Sequence, residues 1–141
     1  MLDRSLLDSV ISRFEVPVEA GRVALFREAI GEAPHSPGSS LGAPVPLTFI
    51  GLGLDPEPFD FVRVFDRDLG SLLHANQSIR YHKPIFVGDV LKGCKKVVGI
   101  FDKKHGQLEF LVLELEYMNQ HQELVGVSQQ TLVFVRKTDS T

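Results

Sequence analysis

Between residues 107 and 119 the side chains alternate with a period of two: Leu111, Leu113, Leu115 and Tyr117 fall on one face, Glu114 and Glu116 on the other. A helix would scatter these residues around its circumference, so the segment predicts a strand with one buried face and one partly wet face. Segments 75–87, 90–102 and 124–137 are equally rich in Val, Ile, Leu, Phe and Tyr, and predict three more strands. The connections 102–106 and 119–123 are short enough for hairpins, which predicts an antiparallel meander. A sheet of this kind has an apolar face that the rest of the chain must cover.

The first half supplies the cover. Leu6, Leu7, Val10 and Ile11 recur at helical spacing behind Asp3, which predicts a short capped helix within residues 2–13. Residues 14–18 alternate like a strand, and Val23, Leu25, Phe26 and Ile30 then predict a second helix that Gly31 stops. The density of Pro, Gly and Ser from 32 to 46 predicts a loop. Segment 47–54 is apolar almost throughout, with Pro46 before it and Asp55-Pro56 after it. It reads as a short buried helix, with a buried strand as the alternative, and a helix there would let the sheet wrap around it. Gly51 and Gly53 would each weaken such a helix by about 1 kcal/mol relative to alanine, so something is expected to approach its backbone closely, either a packed strand or a ligand. Segment 55–69, with Phe59, Phe61, Val62 and Phe65, predicts a mobile insertion that folds over a pocket mouth or packs on a second subunit. The reading is one α+β domain over residues 1–141.

Charge and composition narrow the function. With 15 Lys and Arg against 18 Asp and Glu, a net charge of −3 offers no basic footprint for nucleic acid or anionic membrane. Asp3, Arg4 and Asp8 interrupt the apolar residues at the start, which predicts neither a secretory core nor a membrane span, hence the cytoplasm. The single cysteine, Cys94, has no partner for a disulfide and is expected to be a small buried residue. No two histidines share a metal-ligand spacing beside a carboxylate, so no metal and no cofactor is expected, and His105 and His121 fall in expected exposed turns.

Three strings together carry a resemblance: AIGEAPHSPGSSLGAPVPLTF, LLHANQSIRYHKPIFVGDVLKG and LEYMNQHQELVGVSQQTLVF. In order and spacing, from about Phe14 to Val135, they resemble the MaoC-like dehydratase family, above all its N-terminal-type domains and the non-catalytic subunits of heterodimeric dehydratases. The resemblance implies a hot-dog fold, edge-to-edge pairing of two such domains, and an acyl chain carried as a thioester on coenzyme A or acyl carrier protein. Pairing also suits the sheet, which would otherwise leave an edge strand and Leu108, Phe110 and Val112 uncovered.

Dehydration of a 3-hydroxyacyl thioester needs a base for the C2 proton, an acid for the departing hydroxyl and donors for the enolate oxygen. Helix-start amides at Thr48 and Phe49 are candidate donors, beside a groove formed with Leu47, Gly51 and Gly53. The residues read first as a half-buried aromatic strand, with Tyr81 and His82 as candidate ligand contacts. Catalytic relatives carry Asp and His in D-x-N-P-x-H; here the corresponding stretch is Gly31-Glu32-Ala33-Pro34-His35, three apart and without the Asn. The resemblance therefore implies a chain that binds the acyl group, with a separate hot-dog chain supplying the pair. The alternatives are a homodimeric hydratase using Glu32, His35 or His74, a hot-dog thioesterase, and a non-enzymatic acyl-binding module. A thioesterase would need a carboxylate on or near the central helix, and segment 47–54 has none. His74 is carried as a candidate because N-terminal-type domains often hold a His there.

Overall fold

The computed structural model describes residues 1–32, 41–52 and 54–137, with the side chain of residue 52 left aside. Five strands, β1 (Val10–Pro17), β2 (Leu72–Tyr81), β3 (Val90–Lys103), β4 (Leu108–Met118) and β5 (Leu124–Val135), form one antiparallel sheet in the order β1-β3-β4-β5-β2. Among the described residues three α-helices accompany them: α1 (Ala20–Ala29), α2 (Phe49–Leu52) and α3 (Phe61–Val64). The sheet curls around α2, the hot-dog arrangement.

Strands β3, β4 and β5 form the expected meander, but β2 does not join β3. It crosses to the far side and pairs with β5, Ile79 opposite Ser128 and Gln77 opposite Gln130. Pro84 has no amide proton to donate; β2 ends at Tyr81, and residues 85–87 pair instead with residues 42–45 through an isolated bridge of Phe86 with Pro44, so the strand expected to 87 is not continuous. The first expected helix is also corrected. Asp3 does cap a turn, its carboxylate accepting the Ser5 amide at 2.9 Å, but that 3-10 turn covers only Arg4–Leu6. Asp8 then takes φ 65° and turns the chain into β1, whose pairing with β3 outweighs the local helical spacing. Gly31, at φ +85°, ends α1 as expected.

The alternation in β4 holds: Leu111, Leu113, Leu115 and Tyr117 are buried. They divide between two cores. One gathers Phe49, Ile50, Leu54, Leu91, Leu115 and Tyr117 beneath α2; the other gathers Leu2, Phe61, Phe65, Leu111, Leu113 and Phe134 beneath α3. Segment 55–69 is thus no free flap, because Phe61 and Phe65 bury in the chain's own core and Val62 packs against it, while Phe59 stays exposed. Cys94 is only half-buried, on the face of β3 away from the core.

Candidate functional site

The two cores meet at a buried cation. In β3, Leu91, Lys95 and Val97 share the inward parity, and Lys95 has no exposed surface. Its ammonium donates to Asp55 and Asp60, both at 2.6 Å, and to the Glu57 carbonyl at 2.9 Å, so all three protons have acceptors. The Asp55 carboxylate also accepts the Glu57 amide at 2.9 Å through Oδ1. This knot fastens segment 55–60 to the sheet, and Lys95-Lys96 gave no sign of it as a pair of charges.

Beside the knot lies a cavity of about 240 Å³ between α2 and the sheet. Ile50, Leu72, Leu115 and Leu132 give it apolar walls; Asp55, His74, Tyr117, Ser128 and Gln130 give it polar ones; Gly51 and the rings of Phe59 and Phe61 complete it. His74 reaches this wall through a bulge. The register of β2 shifts between His74 and Asn76, which brings His74 to the face shared by Gln77, Ile79 and Tyr81. His74 is exposed, its Nε2 3.0 Å from Gln77 Oε1, and Gln77 Nε2 donates to the buried Ser128 hydroxyl at 2.6 Å. With the amide's donor end on Ser128, its oxygen faces the imidazole. An imidazole with its proton on Nε2 would donate to that oxygen.

The Tyr117 hydroxyl is fully buried and has no hydrogen-bond partner among the described residues. Burial, and then the nearby Asp55 charge, push its ionisation far above the ordinary phenol range. Sequence reasoning missed Tyr117, Asp55 and Lys95 as site residues, although the parity of β3 and β4 does carry the signal for Lys95 and Tyr117.

The other expected residues distribute around α2. Leu47, Tyr81 and His82 line a second cleft of about 260 Å³, with Lys83 at its rim. The Tyr81 hydroxyl donates to the Pro46 carbonyl at 3.3 Å, and burial raises its pKa to about 12, against an opposing hydrogen bond from the Ile50 amide. Thr48 is exposed, but the Phe49 amide is engaged by the Pro46 carbonyl at 3.0 Å and the Phe49 ring is core, edge-on to Phe26. Phe49 is therefore a packing residue rather than a groove contact. What approaches Gly51 is a strand side chain: a Cβ there would stand 2.8 Å from Ile79 Cδ1. Glu32 is exposed and ion-paired to Arg27 at 2.5 Å, and Arg27 also donates to the Pro44 carbonyl at 2.7 Å. Glu32 lines neither cleft. His35 and Gly53 lie outside the described residues. His105 and His121 are exposed in turns.

Among the described residues no group of three or more His, Cys, Asp or Glu is arranged to hold a metal ion, and no helix is long and apolar enough to cross a membrane.

The profile of the FAS1-like, dehydratase domain region family matches residues 8–127. No curated protein matches. Among solved structures, the truncated HadBC complex of Mycobacterium tuberculosis, a (3R)-hydroxyacyl-ACP dehydratase, is similar with a TM-score of 0.70 at 19% identity, over 91% of this chain and 96% of that one. The unliganded R-hydratase PhaJ1 of Pseudomonas aeruginosa is similar at 0.64 and 12% identity, over 93% and 83%. A MaoC-like dehydratase of Rhodospirillum rubrum is similar at 0.55 and 18%, over 98% and 99%.

Proposed function

The chain belongs to the FAS1-like dehydratase domain region family, a MaoC-like hot-dog domain, and from that premise we propose that it is an acyl-thioester-binding subunit of a (3R)-hydroxyacyl thioester dehydratase, an enoyl thioester hydratase in reverse. The observation that carries the reading is the cavity beneath α2, apolar on most sides, with His74 at its exposed edge and polar groups deeper in. A cavity of about 240 Å³ holds about eight water-sized groups at roughly 30 Å³ each, the size of a short acyl chain. The cleft of Leu47, Tyr81 and His82, with Lys83 at its rim, suits the carrier arm, coenzyme A or acyl carrier protein.

His74 offers a base. The carboxylate that shares its cavity, Asp55, is ion-paired to Lys95 and accepts the Glu57 amide, and Glu32 is held by Arg27 outside the cavity, so neither is set up among the described residues as the matched acid that dehydration needs. A second hot-dog chain supplies the acid–base pair in this reading. The unpaired outer edge of β2 is the place for that partner, or for a second copy of this chain, to extend the sheet. The HadBC structure is itself a complex, which supports a dimeric arrangement. The proposed location is the cytoplasm.

One observation favours a thioesterase as the second reading. Asp55 follows the apolar segment directly and lines the cavity, so a carboxylate does stand near the central helix. Against it, both Asp55 oxygens already accept hydrogen bonds, from Lys95 and from the Glu57 amide.

The experiment incubates the purified chain with saturated and enoyl coenzyme A thioesters. Saturated thioesters are expected to raise its melting temperature, while hydration and thioester hydrolysis stay at background. Hydration by the chain alone at about 1–10³ s⁻¹ would overturn the subunit reading. Hydrolysis abolished by Asp55→Asn would establish the thioesterase.

A further inference from the structure

The cavity has a polar inner end that an unsubstituted hydrocarbon chain cannot use. Tyr117 sits on β4, in the middle of the sheet, with no exposed surface, whereas His74 and Phe59 on the same cavity wall are exposed. A ligand that enters past His74 and Phe59 therefore meets Tyr117 last. Native proteins leave few buried hydroxyls without a partner, because burial strips the group of its water and nothing replaces it. Neither Asp55 nor Ser128, on the same cavity wall, forms a hydrogen bond with the Tyr117 hydroxyl.

We propose that the cavity is specific for acyl groups bearing a hydrogen-bonding oxygen on their distal part, beyond C3, and that the Tyr117 hydroxyl is the residue that reads it. This rests on the reading of the cavity as the acyl site. An oxygen at C3 would stay near the mouth beside His74, whereas one two or more carbons further along reaches the depth of Tyr117. Ser128 and Gln130, on the neighbouring strand β5, extend the polar wall. The walls otherwise remain apolar through Ile50, Leu72, Leu115 and Leu132, so a chain polar throughout would forfeit the burial that drives its entry. The device is selective because a buried, unmatched hydroxyl rejects a plain chain as well as rewarding an oxygenated one.

The test measures the affinity of the full chain, by calorimetry and thermal shift, for hexanoyl-, 3-hydroxyhexanoyl- and 5-hydroxyhexanoyl-coenzyme A, in the wild type and in Tyr117→Phe. One neutral hydrogen bond is worth about 0.5–1.5 kcal/mol, so the 5-hydroxy thioester is expected to bind about 2- to 13-fold more tightly than the hexanoyl one. In Tyr117→Phe that preference disappears while hexanoyl binding is retained or improved. Equal binding of all three by the wild type, with an ordered water serving Tyr117, overturns the distal-oxygen specificity and leaves the acyl site standing. Equal preference for the 3-hydroxy and 5-hydroxy thioesters overturns the distal placement. No binding of any of the three overturns the acyl site itself. The wild-type comparison decides the matter even if Tyr117→Phe fails to fold.

Discussion

The Lys95 ammonium, with no exposed surface, lies 2.6 Å from the Asp55 carboxylate, so a buried ion pair joins strand β3 to the residue that walls the cavity. Removing one member of such a network strands its partners in a medium that solvates them poorly. Lys95→Met is therefore expected to lower unfolding free energy by about 3–5 kcal/mol, read by chemical denaturation. Lys95→Met with Asp55→Asn and Asp60→Asn recovers part of that loss, because no unpaired charge remains.

Gly51→Ala would bring a Cβ to within 2.8 Å of Ile79 Cδ1. Overpacking of about 1–3 kcal/mol, offset by about 1 kcal/mol of helix propensity, gives an expected net loss of up to about 2 kcal/mol in denaturation. In an Ile79→Val background, which lacks Cδ1, the same substitution is expected to cost less than half as much.

The chain has two tyrosines and no tryptophan, so alkaline difference spectroscopy reads both phenols without interference. Tyr81 is pushed up to about 12 by burial, and Tyr117 is raised further still. No tyrosinate step is expected near pH 10 in the folded protein. The unfolded chain ionises near its ordinary value, so above pH 10 it binds fewer protons than the folded one. Stability contributed by the neutral buried phenols is thus full below pH 10 and is lost as pH rises through about 12 for Tyr81.

Glu109, buried on the inward face of β4, accepts from Arg67 and from the Leu2 amide at 2.7 Å, with the terminal ammonium 3.3 Å away. Burial alone would push its carboxyl up, but Arg67 and the terminal ammonium together hold it below the ordinary carboxylate range. Its contribution is therefore present above the unfolded carboxylate pKa and lost as pH falls through the lower folded value. Glu109→Gln is expected to be less stable than the wild type at pH 7, with the gap closing on acidification, as followed by thermal melts across pH.

Pairing along β2 is expected to make the protein a dimer at micromolar concentration by sedimentation, alone or with a catalytic hot-dog partner. Leu73, on that edge strand, is 60% exposed. Leu73→Lys is expected to shift the equilibrium toward monomer, since a charge on an edge strand opposes further pairing. A wild-type monomer, with no partner found to pair with it, would count against the edge assignment.

Strong local patterns were legible in the sequence. The alternation of Leu111 to Tyr117, the stop at Gly31 and the proline-led apolar segment that became α2 each depend on neighbours a few residues away, so composition and period suffice to read them. The site was less legible, because its residues meet across long chain separations. His74 joins the cavity only because a bulge shifts the face of β2; Lys95 is buried only because Asp55 and Asp60 arrive from a separate loop; β1 is a strand only because β3 offers an edge. Side-chain spacing determined which residues share a face. Register, crossover and the pairing of distant charges decided which of those faces enclose a cavity, since their free energy comes from contacts that exist only once the chain has folded.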